Sequence, residues 1–276
     1  MSNHEEYSDQ RFRELIGSRP PKPRRTGRTM VIGDGLYNLG GMNYLEDLVS
    51  FAGPWVDAYK FQRGAMALQS PDLLQTKLDF FAEHDVLAFP GGNFLEAALH
   101  EGIEHQYLEA VQDVGCPGIE VSSTSIELSL DRKAELVERA AEMGFHVHFE
   151  VGKKASETGG EMLSEAEMND ELEAAFDAGA ETVILEMEQI EQVRESGSGE
   201  RSLEDVVTGF VDDYGSERLM FEVPLKSYYE VMKSSWWFLD TLGPDVNLGN
   251  VCPEHVLPIE QQRRGLGQYA FSTHYG

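Results

Sequence analysis

The chain has 276 residues, of which 41% are apolar, so it can form two average domains or one large α/β barrel. Its 49 acidic residues against 22 basic ones give a net charge of −27, which makes nucleic acid and anionic membranes poor partners. Because no run of about 18 apolar residues and no apolar leader occur, and Cys116 and Cys252 are far apart, we predict a cytoplasmic protein without a membrane span.

The net charge of −27 far exceeds the magnitude of about 2–8 that is usual for small soluble domains. The protein is either a merely acidic cytosolic protein or one adapted to molar salt. We favour a halophilic protein, because molar salt shortens the Debye length to about 3 Å and removes the self-repulsion. Dialysis into dilute buffer is then expected to lower the melting temperature.

Residues 1–27, which include "RPPKPRRTG", predict an irregular N-terminal arm. From Arg28 onward, a short apolar run, a turn and an amphipathic helix alternate along the chain. The apolar runs begin roughly 26 to 37 residues apart, the size of one βα unit. They cover residues 29–35, 55–61, 85–92, 118–123, 145–152, 182–188, 218–224 and 245–251.

The helices between these runs carry clear start and stop signals. Ser70 and Pro71 begin one helix, and Ser164 with Glu167 forms a capping box for another that ends at Gly179. Eight strands alternating with helices predict that residues 28–276 form a single (β/α)8 TIM-type barrel. A doubly wound open sheet is the alternative.

Three carboxylates fall at the ends of successive predicted strands. Glu150, Glu186 and Glu222 end strands five, six and seven, and in a barrel the carboxyl ends of the strands form the active-site face. Three converging carboxylates repel one another unless a cation lies between them, and their hard oxygen atoms suit magnesium. Pairing of one or more of them with a lysine or arginine is the alternative.

The scarce basic residues also gather at strand ends, which predicts a pocket for a small anion. These residues are Lys60, Lys153, Lys154, Arg194 and Lys226, and solvated lysines in loops are the alternative. Gly91 and Gly92 follow strand three, and "VNLGNV" at strand eight, with Asn247 and Gly249, is a candidate phosphate site.

Two histidines precede Glu150 on the same face of strand five, because side chains alternate along a strand. His146 and His148 lie deeper in that strand than Glu150. We interpret them as hydrogen-bonded core histidines in preference to ligands.

Several of these stretches resemble the phosphosulfolactate synthases. They are "YKF" (59–61), "FPGGNFLE" (89–96), "EVGKK" (150–154), "DAGAETVILE" (177–186), "RESG" (194–197), "FEVPLKS" (221–227) and "VNLGNVCPEHVLPIEQQRRGL" (246–266). They occur in order over most of the chain. The family fold is a (β/α)8 barrel, in agreement with the strand count.

The resemblance implies magnesium-dependent addition of sulfite to phosphoenolpyruvate, a step of coenzyme M biosynthesis. It implies a lyase-type carbon–sulfur synthase in which sulfite attacks the methylene carbon, an enolate-like dianion forms, and a proton reaches the carbon that bears phosphate. We assign Lys153 and Arg194 as catalytic residues, with Lys153 as the proton donor, and Lys60 as a phosphate ligand. The substrate-binding set is Lys60, Arg63, Gly91, Gly92, Lys226, Asn247 and Gly249, and the magnesium set is Glu150, Glu186 and Glu222.

The chain departs from the family pattern around the mouth of the predicted barrel. The departures are Gly33 and Asp34 at strand one, Gln62 after strand two, the "SSTS" turn at 122–125, the extra residues "MEQIEQV" before Arg194, and Gly267. These changes leave two alternatives open: a barrel acting on another small phosphorylated or carboxylated anion, or a non-catalytic, stress-related binding member of the family. Neighbouring Trp236 and Trp237 suggest either a homo-oligomer contact or a helix end beneath a loop.

Overall fold

A computed structural model describes residues 10–35, 40–152, 162–196 and 202–267. The strands are β1 (Thr29–Gly33), β2 (Ala58–Phe61), β3 (Leu87–Pro90), β4 (Gly118–Val121), β5 (His146–Val151), β6 (Thr182–Leu185), β7 (Leu219–Glu222) and β8 (Leu248–Val251). The α-helices are α1 (Gln10–Ile16), α2 (Met42–Ala52), α3 (Pro71–Glu83), α4 (Asn93–Glu101), α5 (Glu104–Asp113), α6 (Leu130–Glu142), α7 (Glu165–Asp177), α8 (Met187–Ser196), α9 (Leu203–Tyr214), α10 (Tyr228–Leu242) and α11 (Val256–Arg263).

The strands form one parallel sheet in the order β3-β2-β1-β8-β7-β6-β5-β4. The first strand therefore pairs with the last, as closure of a barrel requires, with Thr29 opposite Leu248. The two remaining edge strands, β3 and β4, also lie side by side. The Sγ atom of Cys116, just before β4, is 3.4 Å from the carbonyl oxygen of Ala88 in β3. The predicted (β/α)8 barrel is confirmed, and the open doubly wound sheet is wrong.

Two apolar layers surround the strands. The outward strand faces pack with the helices into one large core, which includes Val31, Tyr59, Val147 and Leu185. Inside the barrel lies a small apolar cluster of Met30, Ala58, Phe89, Ile184 and Met220. Polar side chains occupy the barrel interior on either side of this apolar cluster, one group toward each end of the barrel.

The helix boundaries follow the caps that the sequence predicts. The Ser70 side chain accepts a hydrogen bond from the Leu73 amide at the start of α3. Ser164 and Glu167 form the capping box of α7, and Gly179, with a φ of 105°, leaves that helix in the left-handed region. These local signals therefore fix the helix ends before any tertiary contact is considered.

The N-terminal arm is not irregular throughout, because α1 forms at residues 10–16. Beyond it, the arm crosses the amino-terminal end of the barrel. The buried Lys22 ammonium donates to the Val56 and His84 carbonyl oxygens at 2.7 and 2.6 Å, and the Arg24 guanidinium donates to Asp57. The arm is thus fastened to the barrel by buried cations.

Trp236 and Trp237 are both half-buried and pack on the outer core, where Trp237 meets the edge of Phe238 at 5.1 Å between ring centroids. Homo-oligomer formation stays a prediction. None of the helices within the described ranges is long and apolar enough to cross a membrane.

Candidate active site

Three glutamates converge at the carboxyl ends of the strands. Glu150 is the next-to-last residue of β5, Glu186 directly follows β6, and Glu222 ends β7. One carboxylate oxygen from each lies within 4.8 Å of the others, and we call this set the glutamate cluster. Glu150 and Glu222 are only 4% and 3% exposed, so their charges repel each other with little screening by water.

Lys60 reaches the glutamate cluster from the far side of the barrel. It faces inward from β2, and its Nζ lies 3.3 Å from Glu222 Oε1 and 2.8 Å from Glu120 Oε2. The lysine is 8% exposed and Glu120 only 1%. The rim therefore holds a buried ammonium between two carboxylates, beside two further carboxylates.

The amides of Gly91 and Gly92 make hydrogen bonds within the protein, and the assignment of these glycines as substrate ligands stays a prediction. The Gly91 amide donates to the Phe61 carbonyl oxygen, and the Gly92 amide donates to Glu120 Oε1, both at 2.8 Å. A Cβ on Gly91 would lie 3.3 Å from Lys60 Cε. The absence of a side chain at Gly91 thus leaves room for the lysine.

A cleft of 240 Å³ opens beside the glutamate cluster. It is lined by Glu186, Met187, Glu188, Glu191, Glu222, Val223, Pro224, Leu225, Lys226, Ser234 and Asn250. The structure therefore places Lys226 beside Glu186 and Glu222. The cleft is large enough for a small anion and combines a cation with carboxylates.

Asn247 and Gly249 do not line this cleft, and their assignment to a phosphate site stays a prediction. Asn247 precedes β8 at the amino-terminal end of the barrel and is 0% exposed. Its Oδ1 accepts from the Arg28 amide, and its Nδ2 donates to the Ser216 and Leu219 carbonyl oxygens, all at 2.8 Å. A Cβ on Gly249 would lie 2.9 Å from Met30 Cε, so this glycine makes space for the inner apolar cluster.

The two arginines lie outside the cleft. Arg63 is exposed, with a φ of 45°, and lines a separate groove with Asn93, Phe94 and Ala97. Arg194 is half-buried in the last turn of α8, about 10 Å along the helix axis from Met187. The extra residues before Arg194 form the preceding turns of α8, which carry this arginine away from Glu186. Lys153 and Lys154 lie outside the described residues.

The altered end of β1 forms a buried polar contact. A Cβ on Gly33 would lie 1.7 Å from the Tyr59 hydroxyl oxygen, so only glycine fits there. The Tyr59 hydroxyl donates to Asp34 Oδ1 at 2.8 Å, and Lys77 and Gln69 donate to Asp34 Oδ2, each at 2.6 Å. Burial and the Asp34 carboxylate raise the pKa of Tyr59, so its hydroxyl stays protonated. Asp34 is thus engaged with the outer core.

The histidines of β5 lie near the amino-terminal end of the barrel. His148 is 0% exposed and stacks on Phe89 at 4.2 Å between ring centroids, and neither ring nitrogen has a hydrogen-bond partner among the described residues. It is a core residue, but the predicted hydrogen bonding is wrong. Burial lowers the pKa of His148 well below its ordinary value and that of His146 to about 4. His146 therefore contacts Glu181 as a neutral imidazole.

Sequence reasoning assigned no role to Glu120 or Asn250. Both were recognisable as polar residues at strand ends, since Glu120 lies on β4 and Asn250 on β8. Their surroundings could not be read from the sequence, because Glu120 contacts Lys60 of β2 and Asn250 lines the cleft beside Glu222 of β7.

The (2R)-phospho-3-sulfolactate synthase (ComA) family model matches residues 17–268. The chain belongs to the phosphosulfolactate synthase family. It is 33% identical over 263 residues to the phosphosulfolactate synthase of Methanothermobacter thermautotrophicus. This alignment covers 92% of this chain and 95% of that protein. It is also 25% identical over 272 residues to Protein HEAT-STRESS-ASSOCIATED 32 of Arabidopsis thaliana, covering 91% of this chain and 90% of that protein.

Solved structures support the barrel fold of this phosphosulfolactate synthase family member. A protein described as a deoxyribose-phosphate aldolase from Coccidioides immitis aligns over 89% of this chain and 88% of its own, with a TM-score of 0.53. At 11% sequence identity, this likeness concerns the fold alone.

Proposed function

We propose that the protein is a phosphosulfolactate synthase that adds sulfite to phosphoenolpyruvate. The observation that carries this proposal is the glutamate cluster, with Lys60 and Lys226 reaching the same rim. The sulfur of sulfite forms a bond to the methylene carbon, the carbon–carbon double bond opens toward the carboxylate, and a proton is added to the carbon bearing phosphate. The phosphate ester stays intact throughout.

The glutamate cluster fits a magnesium ion. Its three carboxylates offer hard oxygen atoms within 4.8 Å of one another, and two of the three are buried. Glu222 also faces Lys60, and a divalent cation held by the three carboxylates would reduce the repulsion between them. When bound there, magnesium would stabilise the negative charge that develops on the substrate carboxylate.

The lysines supply the attraction for an anion in a chain of net charge −27. Lys226 lines the cleft beside Glu186 and Glu222, where it can bind an oxygen of the substrate. Lys60 lies against Glu222 from the opposite side and is proposed to hold the phosphate. Two cations on either side of the glutamate cluster would orient a substrate that carries a carboxylate at one end and phosphate at the other.

Lys153 is proposed as the proton donor on the strength of its place in the sequence, directly after Gly152. Gly152 has a φ of 129°, and a Cβ there would lie 3.1 Å from Glu186 Cβ. The backbone therefore leaves β5 in contact with the glutamate cluster. A lysine ammonium positioned at the reacting carbon can act as a general acid.

The test measures consumption of phosphoenolpyruvate by the purified protein with and without sulfite and magnesium. We expect consumption only when both are present, with phosphosulfolactate as the product. If phosphoenolpyruvate neither reacts nor stabilises the protein against heat in magnesium buffer, the proposal is wrong. The alternative of a non-catalytic binding protein would then be favoured.

A further inference from the structure

Glu120 is held at both carboxylate oxygens. Oε1 accepts the Gly92 amide and Oε2 binds the Lys60 ammonium, each at 2.8 Å. Gly92 begins the turn into α4, so this backbone contact ties the carboxylate to the main chain of a neighbouring strand end. A buried carboxylate with a charged and a backbone partner has little freedom to turn.

Lys60, by contrast, has a flexible four-carbon side chain that needs to be directed. Its stem passes Gly91, where a Cβ would lie 3.3 Å from Lys60 Cε and 3.6 Å from Lys60 Cγ. Its ammonium is closer to Glu120, at 2.8 Å, than to Glu222, at 3.3 Å. Glu120 is therefore the closer of these two ion-pair partners, while the Glu222 contact has hydrogen-bond geometry. Glu120 is not a member of the glutamate cluster.

We infer that Glu120 is a positioning residue that holds the Lys60 ammonium at a fixed point between β4 and β7, ready to bind the anionic substrate. The inference rests on the proposed function for the identity of that anion. Without Glu120, the ammonium turns toward Glu222 and competes with a divalent cation for the same carboxylate. Glu120 acts through Lys60 and does not itself touch the substrate.

The variant that tests this inference is Glu120→Gln, assayed for kcat and KM and for binding of phosphoenolpyruvate and magnesium by calorimetry. Loss of this buried ion pair is expected to raise KM and the Kd of phosphoenolpyruvate roughly tenfold to hundredfold. We expect kcat to change by less than about threefold, because the proton donor is untouched. Magnesium binding is expected to weaken less than phosphoenolpyruvate binding.

Glu171→Gln is the matched control. Glu171 is a buried carboxylate that pairs with Lys133 between α6 and α7, away from the rim. It removes one buried charge of the same kind and is expected to leave KM unchanged. An equal rise in KM in both variants would mean that Glu120 has only a structural role.

Gly91→Ala provides a second route, because the added methyl group would lie 3.2 Å from the Phe61 carbonyl oxygen and 3.3 Å from Lys60 Cε, so the Lys60 stem has to shift slightly while Glu120 keeps its charge. It is expected to raise the Kd of phosphoenolpyruvate as Glu120→Gln does, and it serves if that variant does not fold. Unchanged phosphoenolpyruvate affinity in a folded variant at either position overturns the inference. Phosphoenolpyruvate binding is measured without sulfite, so this test does not depend on turnover. A wild-type protein that binds phosphoenolpyruvate without turning it over would refute the proposed reaction but not the role of Glu120.

Discussion

The two ends of the barrel use buried polar residues in opposite ways. At the amino-terminal end, Lys22 and Asn247 direct their hydrogen bonds to backbone carbonyl oxygens, and Arg263 donates to the Pro244 and Val246 carbonyl oxygens at 2.5 and 2.7 Å. At the carboxyl end, Glu150, Glu186 and Glu222 crowd together instead.

The difference shows where the fold is stabilised and where it is held ready for a ligand. Donors matched to carbonyl oxygens satisfy the backbone and fasten the N-terminal arm. Like charges brought together without screening are unfavourable until a cation binds. Substitutions at one end should therefore change stability, and those at the other should change ligand binding and rate.

The largest expected effect concerns rate. Lys153→Met should lower kcat by about 10²–10⁴-fold while the Kd of phosphoenolpyruvate changes little, because proton transfer from a positioned acid contributes a factor of this size. Lys22→Met, at the amino-terminal end, is the control and should leave kcat unchanged in the folded enzyme. A Lys153→Met rate within about threefold of wild type would exclude the proton-donor role.

Asn247→Ala should cost about 3–5 kcal/mol in the free energy of unfolding, because it leaves a buried amide and two carbonyl oxygens without their side-chain partner. Urea denaturation measures this loss. Phosphoenolpyruvate affinity of the folded fraction should not change. Weaker phosphoenolpyruvate binding with an unchanged free energy of unfolding would favour the assignment of Asn247 to the phosphate site.

His146 should make the amino-terminal end sensitive to acid. Its pKa is lowered to about 4 by burial, so at pH 5 the unfolded chain binds a proton that the folded chain does not. The contribution of His146 to the free energy of unfolding is fully present above the unfolded pKa of about 6.5. It falls as the pH drops below that value, and the loss is about 2 kcal/mol at pH 5. Urea denaturation at pH 7 and at pH 5 gives the loss of unfolding free energy for each protein. The loss in the wild type should exceed the loss in His146→Gln by this amount.

His100→Gln is the control for that titration, because His100 lies exposed on α4. Its pH dependence of stability should match that of the wild type. If His146→Gln also matches the wild type, the folded and unfolded forms bind this proton equally, and the expected sensitivity is wrong.

The smallest effect is expected at the glutamate cluster. Here a substitution should not lower stability, in contrast to those at the amino-terminal end. Glu186→Gln removes one like charge at nearly constant volume, so the melting temperature in EDTA should stay the same or rise. Magnesium affinity should fall about tenfold, close to 1.4 kcal/mol, in calorimetric titration. Unchanged affinity in this variant and in the corresponding Glu150 and Glu222 variants would mean that the carboxylates hold no metal.

The sequence by itself determined the order of strands and helices, because strand alternation and helix caps are local. Ser70, the Ser164–Glu167 capping box and Gly179 mark helix ends with neighbouring backbone groups. It also placed Glu150, Glu186 and Glu222 at one face, since parallel strands in a barrel end on the same side. These predictions needed only the order of the strands and the capping residues of the helices.

The tertiary structure alone decided which end of β8 Asn247 occupies and what the residues at the rim meet across the barrel. Asn247 lies one residue before β8, so a small shift in the strand boundary moved it from the predicted mouth to the opposite end. Lys60 meets Glu120 and Glu222 because strand tilt and register bring β2, β4 and β7 together inside the barrel. Those contacts join residues up to 162 positions apart, and no local pattern in the chain encodes such a separation.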